Sequence, residues 1–217
     1  MIFQFIVTIV LITGTIVVYM QLNYWRNMDL GIDKDQVLSI NLSAEMLENA
    51  SVFSERVSKI TSVEDVCVGT GAPGTSIGGL GFRMDGRVIN VRYLTVDANY
   101  MDFYGIDIIE GEGFSKGNPE INAKKFLLNE TAVKYMACDN LFEKEIGGVG
   151  RCIGIFKDYI YMSQKDAIKP LMILFGDKES NVSIKISPIG IPETLKQIEE
   201  VWNNMTTNFP FEYKFVD

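Results

Sequence analysis

The sequence predicts an α+β protein with an N-terminal transmembrane helix, and three observations lead to this fold class. The first 20 residues of the 217-residue chain contain no charged side chain. Strand-helix-strand patterns occur at both ends of the remaining chain, and short β-like runs divided by glycine fill the region between them. The two end patterns predict a split βαβ lobe, and the middle region predicts a mostly-β lobe inserted into it.

The opening run IFQFIVTIVLITGTIVVYM, residues 2–20, is long enough to cross a bilayer as a helix. At about 1.5 Å per residue it covers the roughly 30 Å of a hydrocarbon core. A cleavable signal peptide needs a basic segment before the apolar run and small residues after it. No Lys or Arg precedes this run, and Tyr19, Tyr24 and Trp25 stand where small residues would be needed. The sequence favours a span in contact with membrane lipid over a signal peptide or a buried core helix.

Residues 21–36 form the predicted stalk between the span and the first strand. Their charges are mixed, without the positive excess of cytoplasmic flanks, which is compatible with a location outside the cytoplasm. We predict that the helix continues past Met20 to about Asp29 and ends near Gly31. The absence of a basic residue before the span indicates that the chain is part of a longer membrane protein.

Residues 37–70 carry the first strand-helix-strand pattern. DQVLSINLSA and SVEDVCVGT predict strands, and AEMLENASVFSERVSKI between them predicts a helix with one apolar face. That face comprises Met46, Leu47, Val52, Phe53, Val57 and Ile60, with Ser43 as the N-cap.

Residues 177–217 repeat the pattern. The strand NVSIKISP precedes the helix IPETLKQIEEVWNNM, which has Pro192 in its first turn, and FEYKFVD predicts the last strand. The buried face of this helix comprises Ile198, Val201, Trp202 and Met205. Two such units in one sheet, with helices on one face, give a ferredoxin-like topology.

Residues 71–176 differ in character. The short runs VINVRYLTV, IDIIEG, KFLLNE, RCIGIFKDYIYM and LMILFG predict strands, and DANYMDFYG and NETAVKYMA predict brief helices. This region is the predicted mostly-β insertion with its own small core.

Composition excludes several function classes. The chain has no histidine, which removes Ser-His-Asp and Cys-His catalysis and His-ligated zinc. The 20 basic and 28 acidic residues give a net charge of −8, and no cluster of Lys and Arg is present to bind phosphates. The sequence therefore predicts no nucleic-acid partner.

The glycines of VGTGAPG match the spacing of a dinucleotide-binding loop at Gly69, Gly71 and Gly74. Such a loop must open a helix, whereas Pro73 and the following IGGLGF argue against one. No lysine follows, as a Walker loop would require. The sequence favours a mobile connector between the lobes over a phosphate loop.

The paired carboxylates also predict no active site. Glu110 and Glu112 lie two residues apart, but they are more typical of surface residues in a glycine-flanked turn than of an acid-base pair, as are Asp102 and Asp107. The DKD triplet at residues 33–35 lacks the ligand spacing of a calcium loop. We predict no catalytic, cofactor-binding or metal-binding residue.

The three cysteines, Cys67, Cys138 and Cys152, form no metal-ligand pattern. Their odd number and wide spacing favour three small buried thiols over one disulfide with a single free thiol.

Four segments, in order, resemble the extracytoplasmic core domain of MacB-like and FtsX-like ABC transporter permeases and the span and stalk that precede it. They are FQFIVTIVLITGTIVVYMQLNYWRNMDLGIDKDQVLSINL, VDANYMDFYGIDIIEGEGFS, KFLLNETAVKYM and IGIFKDYIYMSQKDAIKPLMILF. The resemblance covers nearly the whole chain. It is carried by the order and spacing of the segments, because each motif alone is loose.

The resemblance implies a porter-type lobe at residues 37–70 and 177–217 that holds a sabre-type β-rich insertion at residues 71–176. It also implies a bacterial inner-membrane protein whose soluble domain lies in the periplasm. Such permeases work as pairs and couple ATP hydrolysis by a separate cytoplasmic subunit to export of peptides, lipids, lipoproteins or toxic compounds. Some engage a periplasmic adaptor, some a lipoprotein chaperone and some a cell-wall hydrolase.

The remaining spans of such a permease are expected shortly after Asp217, so this chain is not expected to work as a permease alone. Two further function classes stay open. A membrane-anchored extracytoplasmic sensor or scaffold would bind a ligand or a partner protein, and its genes would lack a neighbouring ATPase. A membrane-tethered hydrolase would need a cleft with converging carboxylates.

Overall fold

This computed structural model describes residues 2–26, 31–73, 78–84, 86–137, 141–142, 145–146, 148–161, 167–176, 179–206 and 208–216. The helices are α1 Ile2–Arg26, α2 Ala44–Leu47, α3 Ala50–Val57, α4 Tyr100–Phe103, α5 Glu130–Met136 and α6 Ile191–Asn203, with a 3₁₀ turn at Pro119–Asn122. The strands are β1 Val37–Asn41, β2 Val63–Gly69, β3 Gly78–Met84, β4 Arg87–Val96, β5 Ile108–Gly111, β6 Lys125–Asn129, β7 Glu145–Ile146, β8 Gly150–Phe156, β9 Leu171–Phe175, β10 Asn181–Ile186 and β11 Lys214–Phe215.

The chain divides into two compact units, one that contains α1 and one that begins at Gly31. Helix α1 is long and apolar enough to cross a membrane from Ile2 to Tyr24, and these side chains are exposed. Two of its threonine hydroxyls are satisfied within the helix: Thr8 Oγ1 donates to the Gln4 carbonyl oxygen and Thr15 Oγ1 to the Leu11 carbonyl oxygen, both at 2.8 Å. The helix continues past Met20 as predicted, and its predicted end near residues 29–31 lies partly outside the described residues.

The second unit is built on one mixed sheet in the order β11-β1-β10-β2-β4-β9-β6-β8-β5, with β3 paired to β4 and β7 to β8. The pairs β4/β9 and β6/β8 are parallel, and the other pairs are antiparallel. The two end patterns appear as β1-α2-α3-β2 and β10-α6-β11, and their strands are interleaved at one end of the sheet. The α+β fold class is therefore confirmed.

Three apolar clusters fill the second unit. The first lies under α3 and α6, is built from the two end segments, and centres on Phe53 and Trp202, whose ring centroids are 5.7 Å apart. The second lies around α5 and contains only residues from the middle region, among them Phe126 and Met136. The third combines Val37 and Cys67 of the end segments with many middle residues. The two end segments together form one core, the middle region forms a second, and the third is shared between them.

The sequence-based expectation for the first helix is corrected in two respects, its continuity and the burial of Val52. The predicted first helix is broken into α2 and α3, and Val52, expected on its buried face, is 39 % exposed. Ser43 is the N-cap of α2, but its side chain makes no capping bond there.

The glycine-rich stretch, expected to be a mobile connector, contains strand β3 from residue 78 onward. Gly78 pairs with Tyr93, and a Cβ at Gly78 would lie 2.3 Å from the Tyr93 ring. Glycine makes room for large β4 side chains here, so the composition that suggested a loop serves strand packing. Residues 74–77 lie outside the described part.

Candidate functional site

The seam between the two halves of the sheet is a polar region in which backbone and side-chain hydrogen bonds join β2 to β4. Strands β2 and β4 pair at a single position, Gly69 opposite Val96. Two backbone bonds flank this pair: Thr70 N–H donates to the Thr95 carbonyl oxygen at 2.8 Å, and Asp97 N–H donates to the Val68 carbonyl oxygen at 2.8 Å. A Cβ at Gly69 would lie 3.3 Å from the Val96 side chain, so glycine suits this close approach.

Side chains extend this short ladder in both directions. At one end, Thr95 N–H donates to Thr70 Oγ1 at 2.9 Å, and that hydroxyl lies 3.0 Å from the Thr95 carbonyl oxygen, to which it donates. At the other end, Val68 N–H donates to Asp97 Oδ2 at 2.7 Å. The two halves of the sheet are thus joined by side-chain bonds where backbone pairing ends.

Asp97 is the electrostatically unusual member of the seam. Burial raises the pKa of its carboxyl to about 6, and the negative charge of Asp65 adds to the rise, while backbone N–H donors, that of Val68 first, oppose it. The side chain of Asn99 also ties this region to β2, because its Nδ2 donates to Asp65 Oδ1 at 2.7 Å and to the Val66 carbonyl oxygen at 2.9 Å.

A layer of buried tyrosines lies beside the seam. Tyr104 donates its hydroxyl to Ser183 Oγ at 2.9 Å, which links α4 to β10. The hydroxyls of Tyr100 and Tyr159 have no hydrogen bond of good geometry among the described residues, and burial raises the pKa of both phenols. These phenols are protonated at neutral pH, and their rings pack against neighbouring tyrosines, with centroids 4.8 Å apart for Tyr100 and Tyr104 and 5.7 Å apart for Tyr159 and Tyr161.

The segment that leads into β1 is fastened to this layer and to the sheet. Asp33 N–H donates to the Tyr104 carbonyl oxygen at 2.8 Å, and the Asp33 carboxylate forms an ion pair with Lys185 of β10. Gly31, at φ +73°, places its backbone against Tyr159, since a Cβ there would lie 3.4 Å from the Tyr159 Cβ. The lead-in segment therefore contacts both halves of the sheet.

The other carboxylates considered in the sequence lie at exposed positions. Glu110 and Glu112 are exposed at the end of β5, on either side of Gly111. Asp102 forms an exposed ion pair with Lys116 at 2.6 Å. Among the described residues, no group of three Asp, Glu or Cys side chains is placed to hold a metal ion.

The glycine motif does not form a phosphate loop in the residues that the structure describes. Gly69 is the last residue of β2, and the next regular element in the described part of the chain is strand β3. The described residues on either side of positions 74–77 therefore provide strands, and not the helix N-terminus that holds pyrophosphate in a dinucleotide site.

Cys67 and Cys152 are free and buried, as predicted for thiols with a packing role. Burial raises the pKa of both thiols, that of Cys152 to about 12, so neither is a thiolate nucleophile at neutral pH. Cys138 lies outside the described residues.

Sequence reasoning missed the seam. Its available signal was the segment TVDANYM, in which Asp97 and Asn99 follow a strand and precede a short helix, a pattern typical of side-chain capping. The partners Val68 and Thr70 lie more than 24 residues away, and local patterns do not reveal them.

The sequence matches no protein-family model, and no curated protein is significantly similar to it. The fold does match solved structures. The periplasmic region of MacB from Actinobacillus actinomycetemcomitans superposes with a TM-score of 0.62 at 14 % identity, covering 85 % of this chain and 90 % of that one.

Two further structures match at similar levels. The extracellular domain of the ABC-type transporter YknZ from Gram-positive bacteria has a TM-score of 0.59 at 16 % identity, over 83 % of this chain and 98 % of that one. A domain described as part of a permease protein of Porphyromonas gingivalis has a TM-score of 0.57 at 15 % identity, over 85 % and 92 %. The resemblance noted in the sequence is therefore confirmed in the fold: the chain has the fold of the MacB periplasmic domain, together with an N-terminal apolar helix long enough to cross a membrane.

Proposed function

We propose that this chain is the extracytoplasmic domain and membrane anchor of an ABC transporter permease. The observation that carries the proposal is the likeness in fold, over 83 % or more of the chain, to domains that include one from an ABC-type transporter and one from a permease. The domain is non-catalytic. It couples ATP hydrolysis by a separate cytoplasmic ATPase to export of a peptide, lipid, lipoprotein or toxic compound.

The proposed location is the bacterial inner membrane, with α1 in the lipid and the domain from Gly31 onward in the periplasm. The apolar length of α1 supports this location. The proposed partners are the ATP-binding subunit, a second permease subunit and a periplasmic adaptor, chaperone or hydrolase.

The way the chain enters the sheet supports a mechanical role. Strand β1, the first strand after α1, is hydrogen-bonded to β10 on one side and β11 on the other. Val216 N–H donates to the Val37 carbonyl oxygen at 2.9 Å, so the first and last strands of the sheet meet at the point of entry. Asp33 is tied to Tyr104 and Lys185. A displacement of the lead-in segment is therefore passed directly to paired strands.

The proposed moving parts are two lobes, residues 37–70 with 177–217, and residues 71–176. Their separate apolar cores support the division. The single pair between β2 and β4 is the narrowest backbone connection between them, and the shared core keeps them in contact. We propose that the lobes tilt about this seam during the transport cycle.

The test uses the full-length permease with its ATPase in proteoliposomes. Insertion of four glycines within residues 27–30 should leave ATPase activity intact and abolish export, because a flexible stalk does not transmit the movement of the membrane helix to the domain. The same insertion beside Gly117, which has nothing within 4 Å of its Cβ direction, is the control and should preserve export. Normal export by the stalk variant would contradict the mechanical role.

The wider assignment has its own test. Affinity capture of the protein from mild detergent extracts of its native membrane should co-purify an ATPase with Walker motifs. Capture without any such ATPase would favour the sensor or scaffold function instead.

A further inference from the structure

A cavity of about 460 Å³ lies where strand β9 begins, beside β4 and helix α5. The charged side chains that line it are Arg92 and Lys169, both positive. Tyr135, 48 % exposed, provides an aromatic wall. In a chain with a net charge of −8, a cavity with two cations and no carboxylate among its described lining residues is complementary to an anion.

Hydrogen bonds fix the backbone that carries the two cations. Arg92 N–H donates to the Pro170 carbonyl oxygen at 2.9 Å. The Lys169 carbonyl oxygen accepts bonds from the Tyr161 hydroxyl at 2.9 Å and from Asn129 Nδ2 at 3.1 Å. Tyr161 and Asn129 are themselves buried. The backbone at both cations is therefore anchored at the cavity before any ligand arrives, and a ligand has to order only the two side chains.

Glycines of β3 make room for the polar side chains of the cavity. A Cβ at Gly81 would lie 2.9 Å from Asn90 Oδ1, and a Cβ at Gly79 would lie 3.8 Å from Arg92 Nη1. The Asn90 and Arg92 side chains therefore extend across β3, in space that larger residues would fill. Arg92 offers a planar fork of donors, Lys169 an ammonium group, and Asn90 an amide.

We propose that this cavity binds a phosphate group. Two positive charges match the charge of inorganic phosphate or a phosphate monoester, whereas a carboxylate or a phosphodiester would leave one cation unneutralised. The apolar wall at Tyr135 and Pro170 accommodates the organic body to which the phosphate is attached. The phosphate belongs either to a free small molecule or to a lipid headgroup, and the site is independent of the transport function proposed above.

The experiment measures phosphate binding to the full chain in non-ionic detergent by ³¹P NMR titration, with sodium chloride at matched ionic strength as the reference. Arg92→Gln and Lys169→Gln should each weaken the affinity for inorganic phosphate by about tenfold or more, because each removes a charge-assisted bond. Lys59→Gln removes the same charge from the exposed Lys59–Glu55 pair and should leave the affinity unchanged. Circular dichroism verifies folding, and Arg92→Lys, which keeps the charge, should bind more tightly than Arg92→Gln.

The source of the phosphate is distinguished by comparing sn-glycerol 3-phosphate, a soluble phosphate monoester, with phosphatidic acid, its diacylated lipid, in the same detergent micelles. Tighter binding of phosphatidic acid indicates a lipid source, and tighter or equal binding of glycerol phosphate indicates a free small molecule. Wild-type affinity in both glutamine variants, an equal loss in Lys59→Gln, or tighter binding of acetate than of phosphate would overturn the proposal.

Discussion

The two lobes proposed for the sheet obtain their structure in different ways. In the end segments, helices α3 and α6 cover one face of β1, β2 and β10, and large rings such as Phe53 and Trp202 fill the space between. In the middle region, strands and loops approach one another at glycines. Gly150 and Gly154, both in β8, would place a Cβ 1.9 Å from the Lys124 carbonyl oxygen and 2.4 Å from the Glu112 carbonyl oxygen.

The difference shows two kinds of specificity. The end segments depend on apolar volume, which tolerates conservative exchange and suffers when a large side chain is removed. The middle region also has an apolar core, and it depends in addition on backbone contacts that exclude even a methyl group, so it has sensitive positions where a side chain would be added. Substitutions of opposite type therefore compare the two regions, and four predictions test this contrast and the seam that joins the regions.

The largest effect is expected for Gly150→Ala in the middle region. The substitution adds a methyl group against the Lys124 backbone at φ +130°, a conformation that suits only glycine. The free energy of unfolding should fall by about 5 kcal/mol, a combination of overpacking and backbone strain. Thermal unfolding of the full chain in detergent, followed by circular dichroism, measures the loss.

Gly113→Ala is the matched control, because nothing lies within 4 Å of the added methyl group. It should change stability by less than about 0.5 kcal/mol. Equal stability of the Gly150 and Gly113 variants would contradict the role given to close backbone approach.

For Trp202→Ala in the end segments, the free energy of unfolding should fall less, by about 3–4 kcal/mol, because the substitution leaves a cavity between α6 and α3. The variant also removes the bond from Trp202 Nε1 to the Phe209 carbonyl oxygen at 2.9 Å. Native-state hydrogen exchange should show lost protection chiefly in β1, β2 and β10, whereas Gly150→Ala should show it chiefly in β6 and β8. The same exchange pattern in both variants would mean that the two regions unfold as one.

The third prediction concerns pH and the seam between the regions. The folded-state pKa of Asp97 is raised to about 6 from its usual value of 3.8. The folded chain therefore binds more protons than the unfolded chain between about pH 4 and 6, and the free energy of unfolding falls as pH rises through this window. This carboxyl contributes a fall of up to about 3 kcal/mol. Glu179, whose pKa is also raised by burial, acts in the same direction.

Asp97→Asn should flatten the pH dependence of stability between pH 4 and 6. Its effect at neutral pH combines two opposing changes, since it removes a buried charge and leaves an amide that cannot accept every bond of the carboxylate. The slope is therefore the readout. Asp107→Asn, which removes an exposed carboxylate, is the control and should retain the slope. An unchanged slope in Asp97→Asn would show that this carboxyl does not titrate as described.

The smallest effect is expected for Thr70→Val at the other end of the seam. The variant removes the hydroxyl that accepts from Thr95 N–H and donates to the Thr95 carbonyl oxygen, and should cost about 1–2 kcal/mol. The Thr95 amide should also exchange faster with solvent. Thr70→Ser keeps the hydroxyl and should behave like wild type. Equal exchange of the Thr95 amide in all three proteins would show that the Thr70 hydroxyl does not protect it.

Hydrophobic periodicity in the sequence was sufficient to predict the elements that bury one face. The α6 pattern predicted Ile198 and Trp202 as buried, and both are. Periodicity failed to predict burial where a side chain's surroundings come from distant segments. Val52 is an example, because its apolar side chain is exposed on α3. Strand β3 was missed because Gly78, Gly79 and Gly81 are typical of loops. The side chains of β4 that face these glycines, Tyr93, Arg92 and Asn90, lie 9 to 15 residues further along the chain.

The amino-acid sequence alone determined the apolar helix, the two strand-helix-strand units, the β-rich middle and the lack of histidine chemistry, because each depends on composition or on spacing over a few turns. Tertiary structure alone decided the order of the strands, the seam at Asp97 and Thr70, and the pairing of Arg92 with Lys169 around one cavity. Those features join residues far apart in the chain, and only the folded backbone sets the distances and burial that give them their charge states and contacts.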